Sequence, residues 1–200
     1  MLLSTPTTAH AVPSTAAEAG LVEIGAVVPD AIVDLRYTRA DNFVGVALYP
    51  PDARCLVHES LIPGLRTAAE ELRSQGRRLV FWDCYRPYEV QVRMFEAVPD
   101  PKWGPRPGDS ARSHTAGRSV DVTVADGAGR LLDMGTDFDA FSPRALAYAP
   151  AGVPAAQQAN RAVLREAMAA GGLTVYSGEW WHFDGPGADR PRPLLNVPLA

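Results

Sequence analysis

Between Ser60 and Gly76 the apolar positions Leu61, Leu65, Ala68, Ala69 and Leu72 recur every three to four residues. With Pro63 near the start and Gly76 as the stop, this spacing predicts an amphipathic helix. The pattern then switches. "RRLVFWDCYRP" predicts a strand that ends at Pro87, and "PYEVQVRMFEAV" a second helix with Tyr88, Val92 and Phe95 on one stripe, so Arg86 falls at a strand-to-helix junction. "SVDVTV" alternates with period two, which sends Val120, Val122 and Val124 to one face of a strand and Asp121 and Thr123 to the other. A third helix is predicted from about Pro154 through "AAQQANRAVLREAMAAGG", closing on Gly171. The β-branched and aromatic runs "AIVDLRYT", "LTVYS" and "WWHFD" predict further strands.

Turn residues break up the rest. "DNFVGVALYPPDARCLVH" predicts short extended pieces between long loops at a sheet edge. "PDPKWGPRPGDSARS" is a Pro/Gly-rich loop and "DMGTDFDAFSPRALAY" an irregular acidic one. Strands and helices mix without a regular βαβ repeat, an internal repeat or a linker. The fold class expected is therefore α+β in a single domain, with a mixed, mostly antiparallel sheet packed by helices.

Composition narrows the partners. At 200 residues, 46% of them hydrophobic and 21% charged, the chain has the size and balance of one globular core. A net charge of -4 argues against nucleic acid and anionic membranes, which are bound through clustered Lys and Arg, and leaves small molecules or peptides as partners. No stretch is apolar for long enough to span a membrane. The first 20 residues are rich in Ala, Thr, Ser and Pro and have no basic residue ahead of their leucines. They are expected to be a disordered tail or an incomplete secretory signal, which slightly favours the cytoplasm over export to the cell envelope. Two cysteines, Cys55 and Cys84, are too few for a disulfide scaffold; both lie in strand-like runs and are expected to be buried thiols, or a disulfide if the protein is exported.

Chemistry enters with the histidines. His10 lies in the tail and His58 stands alone after a short strand, whereas His114 and His182 have acidic neighbours, Asp121 and Glu179. Two imidazoles and one carboxylate are the ligand set of a catalytic zinc with one coordination position left for water, and the spare carboxylate can serve as general base. Residues an odd number apart on one straight strand point to opposite faces, so His114 and Asp121 could meet only if Gly117 turns the chain between them. The same parity argument predicts Glu179 at a bend or bulge beside Gly178, with His182 on the strand proper. A solvated loop acid is the plainer alternative for Glu179. Arg86 has its own, an ion pair with Asp83 or Glu89.

"SHTAGRSVDVTV" resembles the SxHxxGxAxD metal signature of the zinc D-alanyl-D-alanine peptidases, departing at Ser119 where the signature has alanine, and "GEWWHF" resembles their ExxH signature. "VDLRYTRADNF", "WDCYRP" and "MGTDFD" bring the resemblance closer to the D-alanyl-D-alanine dipeptidases, including those of vancomycin resistance, over about Val22 to Phe183. The resemblance implies one Zn2+ per chain held by His114, Asp121 and His182 at one edge of the sheet. It also implies that Glu179 is the catalytic base, that Arg86 stabilises the transition state and that Asp139 binds the substrate's free ammonium group, with Asp137 and Asp133 as competitors for the last role.

The expected organisation is thus a tail over residues 1–20 and a zinc peptidase domain over 21–200. The expected reaction is hydrolysis of the dipeptide D-alanyl-D-alanine. A D,D-carboxypeptidase acting on longer cell-wall peptides and a non-catalytic zinc-binding module are the alternatives.

Overall fold

In the computed structural model, which describes residues 12–101, 104–149 and 151–200, a five-stranded mixed sheet carries two of the candidate site residues, Asp121 and His182. The chain opens with β1 (Leu21–Glu23), a single helical turn α1 (Ile24–Val27), β2 (Ile32–Val33) and β3 (Leu56–His58). It continues through α2 (Ile62–Ser74), β4 (Arg77–Asp83), α3 (Tyr88–Ala97) and β5 (Ser119–Asp126), then α4 (Ala155–Ala170), β6 (Thr174–Val175) and β7 (His182–Asp184). The main sheet has the order β2-β4-β5-β7-β6, with β2 parallel to β4 and the other neighbours antiparallel. β1 and β3 pair antiparallel in a small second sheet. This is the α+β single domain with a mixed, mostly antiparallel sheet that the pattern implied.

Helices α2 and α4 pack on each other, and α2 also packs on β4. The predicted apolar stripe of α2 is buried at Leu65, Ala68, Ala69 and Leu72, and α4 buries Arg161, Leu164, Ala167 and Met168. Val120, Val122 and Val124 are fully buried in the core, yet Asp121 and Thr123 on the opposite face of β5 are buried too. That second face is closed over by loops rather than helices. Aromatic residues dominate there, with Trp82 against Phe138 and Trp180 and Phe138 against Trp181, at ring-centroid distances of 5.4–5.7 Å.

Several elements differ from the sequence expectation, each for a tertiary reason. Of "AIVDLRYT" only Ile32 and Val33 pair with β4; the chain then turns at Arg36–Thr38, because Tyr37 is buried against Tyr49 and Phe138. β4 stops at Asp83 rather than running to Pro87, and the amides beyond it leave the sheet, Tyr85 donating to Leu56 O and Arg86 to His114 O. α3 buries Val90, Gln91 and Met94, leaving Tyr88, Val92 and Phe95 half-buried. Two of these three, Tyr88 and Phe95, line a cleft instead of the core.

Cys55 and Cys84 are not free thiols: they form a disulfide that ties the approach to β3 to the end of β4. Residues 1–11 of the expected tail, His10 among them, lie outside the described residues. Residues 14–20 form a turn in which the Glu18 carboxylate accepts hydrogen bonds from the amides of Ser14 and Thr15. Among the described residues no helix is long and apolar enough to cross a membrane.

Candidate metal centre and active site

Two irregularities in the backbone bring distant side chains to one end of β4, β5 and β7. The first is a register shift between Phe81 and Asp83, which pair with Val122 and Asp121 respectively. The bulge at Trp82 reverses the parity of the strand's end, so Asp83 shares a face with Asp121 instead of opposing it. The second is Gly117, in the left-handed region at φ 64, which caps the 3-10 turn Ser113–Ala116 and folds His114 back beside the strand. A Cβ here would meet the Leu21 side chain and the His58 backbone, so the position demands glycine for space as well as for conformation.

His182 is the register partner of Asp121 across β5 and β7. His114 Nε2, His182 Nδ1 and Asp121 Oδ1 then lie 3.0–3.2 Å from one another. The far nitrogen of each imidazole is held by an acceptor: His114 Nδ1 by the Cys84 carbonyl at 2.8 Å and His182 Nε2 by the Asp184 carboxylate at 3.0 Å. Donation from those nitrogens leaves the facing ones as lone pairs. Two lone pairs and a carboxylate oxygen that converge at about 3 Å require something positive among them.

A proton on His182 is one way to supply that charge. Burial opposes a charged His182, but its hydrogen bonds to Asp121 and Asp184 outweigh it and lift the imidazole to about 10. Burial likewise opposes ionised Asp121, yet the two histidines hold it well below the usual carboxylate range. The donor set fits a divalent cation of zinc's preference, with the second ring nitrogens anchored as metal-binding histidines require.

Around this centre lies a cleft of about 660 Å³ whose lining includes Arg86, Asp139 and Glu179 with the three candidate ligands. Glu179 follows the turn at Ser177 and Gly178, its Oε2 3.9 Å from His182 Nδ1, and is not one of the converging atoms. Burial pushes its carboxyl up, His182 opposes this and the charge of Asp121 adds to it. Arg86 is buried and held on three sides: Nε and Nη2 donate to Asp83 Oδ2 at 3.0 and 2.7 Å, and Nη1 donates to Gln91 at 2.7 Å. The ion pair with Asp83 therefore exists, and it fixes Arg86 at the cleft instead of removing it.

Asp139 sits at positive φ (52) and accepts from the Tyr37 hydroxyl at 2.8 Å. Burial drives its carboxyl well up, against that hydrogen bond, and the charges of Asp121 and Glu179 add to the rise. Its competitors are elsewhere. Asp137 is exposed and paired with Arg36, and Asp133 binds Gln157 and the Gly135 amide.

Sequence reasoning named Asp83 as a possible partner of Arg86 but gave it no further role. Asp83 also accepts from the Tyr49 hydroxyl at 2.6 Å, so one buried carboxylate organises Arg86 and the floor of the cleft. Asp184 was within reach, since it stands two residues beyond His182 on the same strand face. Ser119, the departure from alanine, donates to Asp184 and so supports the acceptor behind His182. A second departure is Arg112, which occupies the signature's leading serine position while Ser113 takes a strained φ of 47.

A family profile described as "D-ala-D-ala dipeptidase" matches residues 17–200. The chain is 39% identical to a D-alanyl-D-alanine dipeptidase of Escherichia coli over 175 residues, covering 88% of this chain and 89% of that protein. It is 31% identical to a protein of the same name from Streptomyces coelicolor, over 84% of this chain and 92% of that one. A third, from Enterococcus faecium, is 29% identical over 81% and 92%.

Proposed function

The chain belongs to the D-ala-D-ala dipeptidase family, and from that membership we propose that it hydrolyses the dipeptide D-alanyl-D-alanine at a zinc site built from His114, Asp121 and His182. The observation that carries the reading is that these three share a cleft with the acid Glu179, which is not among the converging atoms, the immobilised cation Arg86 and the carboxylate of Asp139. Zinc, when bound, supplies a Lewis acid that polarises the carbonyl and makes water acidic near neutral pH.

The protein's own groups divide the remaining work. Glu179, raised by burial, accepts the proton of the attacking water and returns it to the leaving amine. Arg86 holds a permanent positive charge against Asp83 and Gln91, so its guanidinium meets the negative charge that develops on the carbonyl oxygen without reorganising. Asp139 accepts the free ammonium group. A longer peptide acylated at that nitrogen would leave Asp139 buried without a cation, which selects for dipeptides.

The carboxypeptidase reading draws support from the extent of the cleft, which runs along α3 to Met94 and Phe95, beyond what two alanines fill. Incubating the metal-loaded protein with D-Ala-D-Ala, L-Ala-L-Ala and a pentapeptide ending in D-Ala-D-Ala, with metal content measured in parallel, separates the readings. The expected result is release of alanine from D-Ala-D-Ala alone, abolished by a chelator. Cleavage confined to the pentapeptide would transfer the assignment to a carboxypeptidase, and zinc content without cleavage would make the chain a binding module.

A further inference from the structure

Arg118 is 9% exposed and has only neutral partners. Its Nη1 donates to the Ser60 hydroxyl at 2.7 Å and the Pro186 carbonyl at 2.9 Å, and Nη2 donates to His58 Nε2 at 2.9 Å. Its Nε is buried without a partner. A second guanidinium, that of Arg192, faces the same small cavity, its Nε also buried and unpartnered and its Nη2 only 3.5 Å from the Gly187 carbonyl. The cavity holds about 190 Å³ and is lined by these two arginines, His58, Ala116, Glu18 and the prolines and leucine around them.

No carboxylate among the described residues forms an ion pair with either arginine. Glu18 lies at the rim, but its carboxylate is engaged by the Ser14 and Thr15 amides, and Glu59 is exposed. His58 cannot serve as counter-ion, since the nitrogen that faces Arg118 accepts its proton. The groups accordingly disfavour one another's charge. Burial, then Arg192, lowers Arg118, and burial, then Arg118, lowers His58; the charge of exposed Glu59 opposes both but does not outweigh them. A buried cation without an anion is costly, and two on one cavity cost more.

We propose that this second cavity is a binding site for a phosphate group, whose two negative charges and tetrahedral oxygens match two guanidiniums better than a single carboxylate would. The site lies apart from the catalytic cleft and is independent of the dipeptidase reading. It joins the Pro13–Gly20 turn, the end of β3, the turn that carries His114 through its neighbour Ala116, and the C-terminal stretch. An occupant held by both guanidiniums would tie these four segments together.

The test is thermal unfolding of the metal-loaded protein at constant ionic strength, titrated separately with inorganic phosphate, glycerol phosphate, acetate and chloride. The expected result is a saturable rise in Tm with one or both phosphates, the tighter of the two identifying a free ion or a phosphomonoester as the source. The rise should be absent in Arg192→Gln, which keeps wild-type kcat/KM, and in Arg118→Gln. Where Arg118→Gln does not fold, Arg192→Gln, nearer the rim, decides alone. An equal rise with acetate or chloride, no rise at all, or a rise that survives Arg192→Gln would overturn the assignment. Survival accompanied by inhibition of hydrolysis would locate phosphate at the metal instead.

Discussion

Glu179 and Asp139 are both carboxyls raised by burial in one cleft, and they separate by what each substitution should change. Glu179→Gln preserves shape and removes basicity, so it should keep the metal and lower kcat by about 10²-fold or more; loss of metal would show that Glu179 is a ligand. Asp139→Asn removes a charge that meets the ammonium group, and should raise KM about 10- to 100-fold with a smaller effect on kcat. The pH dependence carries the sign. Because burial holds Asp139 well above the ordinary carboxylate range, the free enzyme loses its ammonium partner as pH falls through that raised value. KM of the wild type should therefore climb on the acid side well above pH 4, the region of an ordinary aspartate. In Asp139→Asn that climb should vanish while kcat still falls with protonation of Glu179. A KM profile unchanged by the substitution would move the ammonium site elsewhere. The convergence of His114 with Asp121 was legible because the spacing and the glycine at 117 are local in the chain, whereas His182 joins them only through the pairing of β5 with β7. Asp83 was legible as a partner for Arg86 but not as a residue facing Asp121, since that direction depends on a bulge at Trp82 that no residue type announces.

The helices were legible for a different reason from the one that sets their packing. α4 ends at Ala170 with Gly171 as its cap, as the sequence predicts, although the left-handed residue is Gly172. Gly171 is needed because α2 and α4 cross at Gly64 and Gly171, where a Cβ on either residue would run into the other's backbone. Gly64→Ala should therefore destabilise the fold, since overpacking costs about 1–3 kcal/mol and outweighs the roughly 1 kcal/mol that alanine gains over glycine in a helix. Gly25→Ala, at a helical glycine with nothing within 4 Å, is the control and should be tolerated. A urea midpoint that rises in Gly64→Ala would mean that the crossing can widen. Strands fared worse than helices because β2, β6 and β7 are two or three residues long, and their limits are set by what they pair with rather than by their own alternation. The stripe on α3 was apolar for the cleft, which periodicity cannot tell from apolar for the core.

Folding and metal binding are one problem in this protein, because the candidate ligands sit on a 3-10 turn, the central strand and the last strand, and close on one another only in the folded chain. A cation that binds the folded chain alone stabilises it, so removing the metal should lower Tm together with activity. The size of that drop should depend on pH. In the metal-free protein His182 is raised from 6.5 to about 10, so its contribution to stability is fully present below pH 6.5 and is lost as pH rises toward 10. The metal competes with the same proton, and its affinity grows as the proton leaves. Both effects have one sign. The gap in Tm between metal-loaded and chelator-treated protein should widen from pH 6 to pH 9, measured by scanning calorimetry with total metal held constant. His182→Ala should abolish the gap at every pH. A gap that is independent of pH would mean that metal and proton do not share His182, and would remove it from the ligand set.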